Sequence, residues 1–184
     1  DNWMDGQYKY QFLSLNYISG IKASDLNTII SDNSQNGGVL NNKGAEFLAA
    51  AQKYNINPAY LVSHAMLETG NGSSPLATGI VVNGKKVYNV FGIHAYDSNP
   101  NYYGSQYAYE KGWYSVDAAI TGGAEWISKY YINRESGEQN TLYAMRWNPN
   151  AIQKQIDSGD TTPRPTHQYA TDIAWAVKQV DRLK

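Results

Sequence analysis

The chain has 184 residues, with 15 Lys and Arg against 16 Asp and Glu and a formal net charge of −1. It carries no long run of one charge sign, no apolar run of membrane-spanning length and no cysteine. A nucleic-acid partner and membrane insertion are therefore not expected, and disulfides, thiolate catalysis and Cys-type zinc sites are excluded. The length suits one domain with a real core. The chain starts at Asp1 rather than Met and shows no signal peptide, which reads as a domain taken from a longer protein. Tyrosine and tryptophan, 16 and 5 against 3 Phe, combine a flat apolar face with a polar tip, a surface suited to sugar rings.

Residues 12–17 alternate weakly and predict a docked N-terminal strand within an otherwise irregular start. Residues 22–31 predict a short helix with Ser24 as N-cap, and 31–38 a loop. Residues 44–54 predict a helix with Phe47, Leu48, Ala51 and Tyr54 on one stripe. A second helix follows over 58–69, with Asn57 as N-cap, Pro58 in the first turn and Gly70 as the stop.

The texture then changes. Residues 78–93 hold two β-rich runs around Asn83-Gly84, a strong hairpin signal. Residues 94–114 read as a long loop with a short strand near its end. Helical spacing resumes at Ser115, where Gly122-Gly123 would permit close helix packing. Further helices are predicted over 141–147, 151–157 and 168–183, with a loop over 160–167. The expected architecture is α+β, mainly α, with a helical body and a small β-hairpin lobe over about 78–110.

One position stands out in the second helix. Glu68 falls on the face of Leu61 and Ala65 by the i, i+4, i+7 rule. Burial there, and the partial negative charge of the helix end, would both raise its pKa. A carboxyl protonated near neutral pH is what a general acid needs to protonate an alkoxide leaving group. The structural alternative is a pairing of Glu68 with His64, one turn back. A helix ending in an acid, followed by a Gly-Asn loop and a hairpin, also builds a cleft with the acid on its floor.

The blocks HAMLETGNGSSPLATG, VYNVFGIHAYDSNP, YAYEKGWYSVDAAITGGAEWIS, LYAMRWNP and THQYATDIAWA, in this order, resemble the glucosaminidase domains of bacterial autolysins, glycoside hydrolase family 73. The resemblance runs from about residue 12 to about residue 180, with clostridial and staphylococcal autolysins as the nearest in kind. It implies a lysozyme-like fold, a helical lobe and a hairpin lobe around an open groove, over a single catalytic domain spanning 1–184. It implies an endo-β-N-acetylglucosaminidase that cuts the β-1,4 bond after N-acetylglucosamine in peptidoglycan, without a cofactor, as a monomer outside the cell at the bacterial wall.

The resemblance places the catalytic glutamate on Glu68. It places groove-lining residues in the YNVFGI block, with Tyr88, Asn89, Phe91 and Gly92 as sugar contacts, and it places Tyr169 near the catalytic centre. Some relatives carry a second glutamate in the β lobe, whereas residues 78–93 hold no acid here. Asp97 and Glu110 are the nearest candidates, and attack by the substrate's own N-acetyl group is the alternative.

Read from the residues, Tyr109, Tyr130, Tyr131 and Trp147 are added to the sugar-binding set, and Tyr102, Tyr103 and Tyr107 are further platforms. Trp126 sits one turn before Tyr130 and suits either core or groove. Gly92 and Gly104 also answer backbone needs. His64, His94 and His167 do not form the H-E-x-x-H pattern, so no metal is expected. A muramidase, a lytic transglycosylase or a wall-binding module without catalysis would share much of this pattern.

Overall fold

The computed structural model describes residues 14–32 and 37–133. The predicted helices over 141–147, 151–157 and 168–183, and with them Trp147, His167 and Tyr169, lie outside the described residues, as does the start of the predicted strand at 12–17. Within the described part, Leu15 is buried, its carbonyl accepts from the backbone N–H of Asn57 at 2.6 Å, and the Asn57 side-chain amide donates to the Ser14 carbonyl. The N-terminal segment is docked by these bonds rather than as a regular strand.

Helix α1 (Ala23–Ser31) lies within the predicted 22–31, but its cap falls two residues before Ser24. Lys22 takes the cap position, and the Asp25 carboxylate accepts from its backbone N–H at 2.8 Å. Ser24 therefore lies inside the first turn. After a short 3-10 turn (Gly38–Leu40), α2 (Gly44–Lys53) buries Phe47, Ala50 and Ala51. Its first residue is a glycine because α1 passes close by: a β-carbon there would lie 2.6 Å from the Asn27 Oδ1.

Helix α3 (Pro58–Glu68) has its Asn57 side chain accepting from the N–H groups of Ala59 and Tyr60, as the sequence predicts. Leu61, Val62, Ala65 and Met66 are all fully buried. Each large apolar side chain buried in this way contributes about 1.5–3 kcal/mol, which fixes the rotation of the helix about its axis.

A single turn, α4 (Pro75–Thr78), leads into the hairpin of β1 (Ile80–Val82) and β2 (Lys85–Val87). The strands are antiparallel, with Val82 opposite Lys85. Asn83 and Gly84 both have positive φ, 48° and 79°, the signature of a type I′ turn.

Residues 94–114 are not a long loop. They contain α5 (Pro100–Lys111), with the Asn99 side chain accepting from the Tyr102 N–H, Pro100 in the first turn and Gly112 in the left-handed region. Its buried face is Gly104, Ser105 and Ala108, small residues that give no large apolar stripe. It packs on both strands and on α4, so hairpin and α5 form one lobe.

Helix α6 (Val116–Ile127) packs on α2 and runs into a π-helical turn (Ser128–Ile132). The glycine pair on α6 receives rings rather than another helix. A β-carbon at Gly122 would collide with the Trp113 indole, and one at Gly123 with the Phe91 ring. The core joins both lobes, from Leu26 and Ile30 of α1 through Phe47 and Leu61 to Val87, Phe91 and Ile120.

Candidate active site

Glu68 closes α3. The buried stripe fixes its direction, and the turn beyond it is tied down. The Thr69 hydroxyl donates to the Ala65 carbonyl at 2.6 Å and accepts from the Gly72 N–H at 2.8 Å. The Asn71 N–H donates to the Met66 carbonyl, and Gly70 takes a left-handed φ of 53°, the stop expected from sequence. The Glu68 side chain keeps 29% of its exposure, one side open and the other packed.

The packed side is main chain. Gly92 has φ 63°, and a β-carbon there would lie 2.8 Å from Glu68 Oε2. The segment carrying Gly92 is latched by Asn89. Its side-chain amide donates to the carbonyls of Ile93 (2.8 Å) and Gly104 (3.2 Å), and its Oδ1 accepts from the Ile93 N–H (3.2 Å). Phe91 is buried below, edge-on to Phe47 and to His64. Asn89 and Phe91 thus lie beneath the surface, and they shape the segment where sequence reasoning has them touching sugar.

The electrostatics follow from this packing. Desolvation raises the Glu68 carboxyl from its ordinary 4.5 to about 7. His64 Nε2 stands 3.9 Å from Glu68 Oε1. Burial lowers the His64 imidazole to about 4, so it is neutral near pH 7 and the contact is not an ion pair there. Tyr60 OH lies 3.0 Å from His64 Nδ1, and burial, then the charge of Glu68, raise its phenol. Tyr60, His64 and Glu68 form one i, i+4, i+8 row along α3. The row supports the acid without supplying a cation to hold it ionised.

Two residues beyond Gly92, His94 begins an aromatic wall. Its ring stacks on Tyr107 of α5, with centroids 4.1 Å apart and planes 7° from parallel. Trp126 of α6 stands edge-on to His94 at 5.8 Å, and Tyr130 and Tyr131 flank Trp126 at 5.2 and 5.3 Å. A depression of about 420 Å³ beside this wall is lined by Tyr107, Trp113, Glu125, Trp126, Lys129 and Tyr130 among others. It adjoins the wall and does not include Glu68.

The structure brings together Glu68 and Gly92, and it connects Tyr130 to them through Trp126 and His94. Tyr131 is on the same turn but buried, its ring against Trp126. Tyr88 is half-buried beside the hairpin, its N–H bonded to the Trp113 carbonyl. Tyr109 packs with Tyr114, apart from the wall. Asp97 is exposed in the turn before α5, and Glu110 is exposed in the last turn of α5. Among the described residues, no group of three or more His, Asp and Glu could hold a metal ion. Sequence reasoning missed Tyr60, whose signal is its place two turns before Glu68. It also missed the site role of His94, whose positive φ of 57° has no signature in the sequence.

The sequence profile of the family described as mannosyl-glycoprotein endo-beta-N-acetylglucosaminidase matches residues 44–184. The chain is 48% identical over 179 residues to a beta-N-acetylglucosaminidase of Bacillus subtilis (strain 168), covering 97% of this chain and 18% of that protein. It is 47% identical over 180 residues to the bifunctional autolysin of Staphylococcus aureus (strain MSSA476), covering 94% of this chain and 13% of that protein. The chain thus spans less than a fifth of the length of these relatives. Among solved structures, S. aureus glucosaminidase B superposes with a TM-score of 0.69 at 38% identity, covering 98% of this chain and 65% of the other. A catalytic glutamate-to-alanine variant of S. aureus autolysin E, in complex with the disaccharide NAG-NAM, superposes with a TM-score of 0.68 at 36% identity, covering 94% and 69%.

Proposed function

The chain belongs to this glucosaminidase family, and from that premise we propose that it is an endo-β-N-acetylglucosaminidase that hydrolyses the β-1,4 bond after N-acetylglucosamine in peptidoglycan, with Glu68 as general acid. The observation that carries the reading is the setting of Glu68. It is a half-open carboxyl on an apolar helix face, backed by the main chain of Gly92, with desolvation holding its pKa at about 7. Near neutral pH such a group is substantially protonated and can deliver its proton to the glycosidic oxygen as the C1–O bond breaks. The autolysin names of the relatives and the NAG-NAM disaccharide bound by one of the similar structures support the substrate class. They also favour a site of action outside the cell, at the wall; a monomeric catalytic domain is part of the same proposal.

For the second group, neither hairpin strand carries a carboxylate. The reading that fits is substrate assistance. The N-acetyl carbonyl oxygen attacks C1 as the leaving oxygen takes the Glu68 proton. Water then opens the resulting ring, with the Glu68 carboxylate accepting its proton, and configuration is retained. Proton NMR of the first-formed product checks this: the β anomer supports assistance, and the α anomer would transfer the role of base to Asp97 or Glu110 acting through a water. Tyr169 belongs to this proposal by resemblance, as a residue of the catalytic centre, and Trp147 as a sugar contact.

Peptidoglycan digested with the wild type and with Glu68→Gln, reduced with borohydride and analysed by mass spectrometry, tests the whole reading. Glucosaminitol ends from the wild type alone are expected. Muramitol ends would move the cut to the other bond, and anhydro ends would make the enzyme a transglycosylase.

A further inference from the structure

The described surface exposes five large aromatic side chains: Tyr96, Tyr102, Tyr103, Tyr114 and Tyr130. Four of the five belong to one connected series of rings. Tyr102 contacts Tyr103 with centroids 5.3 Å apart, Tyr103 contacts Tyr96 at 5.6 Å, and Tyr96 contacts His94 at 5.6 Å. His94 contacts Trp126 at 5.8 Å, and Trp126 contacts Tyr130 at 5.2 Å. The series therefore starts at the N-terminal turn of α5, passes the segment that backs Glu68, and ends on the π-helical turn.

These rings do not close over one another as a core cluster does. Tyr96, Tyr102, Tyr103 and Tyr130 remain 51, 54, 41 and 48% exposed. They are nevertheless held in place. The Tyr96 hydroxyl lies 2.9 Å from His94 Nδ1 and the His94 ring is stacked on Tyr107, while the Asn99 side chain accepts from the Tyr102 N–H and the Asn99 carbonyl from the Tyr103 N–H, which fixes the backbone that carries those two rings. Rigid, half-exposed aromatic faces with polar tips suit pyranose rings, which offer a C–H face to the π surface and hydroxyl edges to the tips. Rings outside a single catalytic centre extend the number of sugar units that can be held at once.

We propose that the ring series from Tyr102 to Tyr130 is an extended sugar-stacking track that binds units of the glycan strand beyond the scissile bond and gives the enzyme a preference for long strands. The proposal rests on the glycan-cleaving reading of Glu68, whose neighbour Gly92 leads directly into His94. Tyr102 and Tyr103 bind the far units, and Tyr130 those at the other end.

The test uses binding by the Glu68→Gln protein, so that no cleavage intervenes. Its affinities for a β-1,4-linked N-acetylglucosamine disaccharide and for a long oligomer of the same sugar are measured by calorimetry. Adding Tyr102→Ala and Tyr103→Ala together is expected to weaken long-oligomer binding roughly tenfold and to change disaccharide binding by less than about twofold. Tyr102→Phe, which keeps the ring, is expected to retain long-oligomer affinity, whereas Tyr114→Ala, an exposed tyrosine off the track, is expected to change neither. Unchanged long-oligomer binding in the double variant, equal losses on both lengths, or no binding of the long oligomer at all would overturn the track. Failure of the peptidoglycan digest would instead overturn the reaction and leave this binding result standing.

Discussion

Gly92 presents bare main chain to Glu68, so close that a β-carbon on the glycine would stand 2.8 Å from Oε2. The contact does two things. It removes water from one side of the carboxyl without placing a charged or polar side chain against it, and it limits how far the carboxyl can turn. Both effects come from the absence of a side chain, at a φ of 63° that glycine adopts at little cost.

Gly92→Ala therefore adds a clash to a backbone penalty of about 1–2 kcal/mol for a left-handed residue. Displacement of the acid by a fraction of an ångström is expected to lower kcat on peptidoglycan roughly 10–100-fold, with a smaller effect on KM. Steady-state kinetics at neutral pH, beside a thermal melt, check the split; an unchanged kcat would mean that Gly92 does not position the acid.

Asn89→Ala removes three hydrogen bonds that shape residues 89–93. The loss is expected to cost about 2–3 kcal/mol by denaturant unfolding, since buried partners are left without a bond. Activity is expected to fall as well, because Gly92 is carried by the same segment. A variant as stable as the wild type would show that the latch is redundant.

The pH dependence of Glu68 has a definite sign. Its folded value, about 7, lies above the ordinary 4.5, so the proton is held more tightly in the native state. That contribution to stability is complete below about 4.5 and is lost as pH rises through 7. Activity is expected to fall above about pH 7 as the general acid ionises. Glu68→Gln is expected to lose activity roughly 10²–10⁴-fold and to be more stable than the wild type at pH 8, by about 1–2 kcal/mol after allowing for solvent on the open side. Melting curves at pH 4.5 and pH 8 measure the difference.

His64 acts in the opposite direction. Burial lowers it from 6.5 to about 4, so its contribution is complete above about 6.5 and is lost as pH falls through 4. His64→Leu is expected to flatten the acid limb of the stability profile over that interval, while leaving the alkaline limb set by Glu68 in place. A wild-type acid limb that survives this substitution unchanged would assign it to other groups.

Much of α3 was legible because several local signals agree. Asn57 caps it, Pro58 opens it, four apolar residues fix its rotation and Gly70 ends it. The hairpin was legible from Asn83-Gly84 for the same reason. Helix α5 was not, although Asn99, Pro100 and Gly112 mark its ends. A helix that buries Gly104, Ser105 and Ala108 can be seated closely against its lobe without any large apolar residue, and periodicity searches register only large ones. The site was legible as a set of residues more than as a set of orientations. The YNVFGI block drew attention to Asn89 and Phe91, but sequence has no means of telling a residue that faces a groove from one that holds the groove's floor. The two glycines of α6 raised the same difficulty: small residues signal close approach without saying what approaches.

What approaches them differs between the two. Gly123 seats Phe91, the residue before the backstop of the acid, and Gly122 seats Trp113, whose ring meets Tyr107 of the aromatic wall. Adjacent residues on one helix thereby seat two rings, one beside the segment that backs Glu68 and the other beside the aromatic wall. On the proposed reading, a change at the Trp113 seat is expected to act on strand preference first, and a change at the Phe91 seat on cutting.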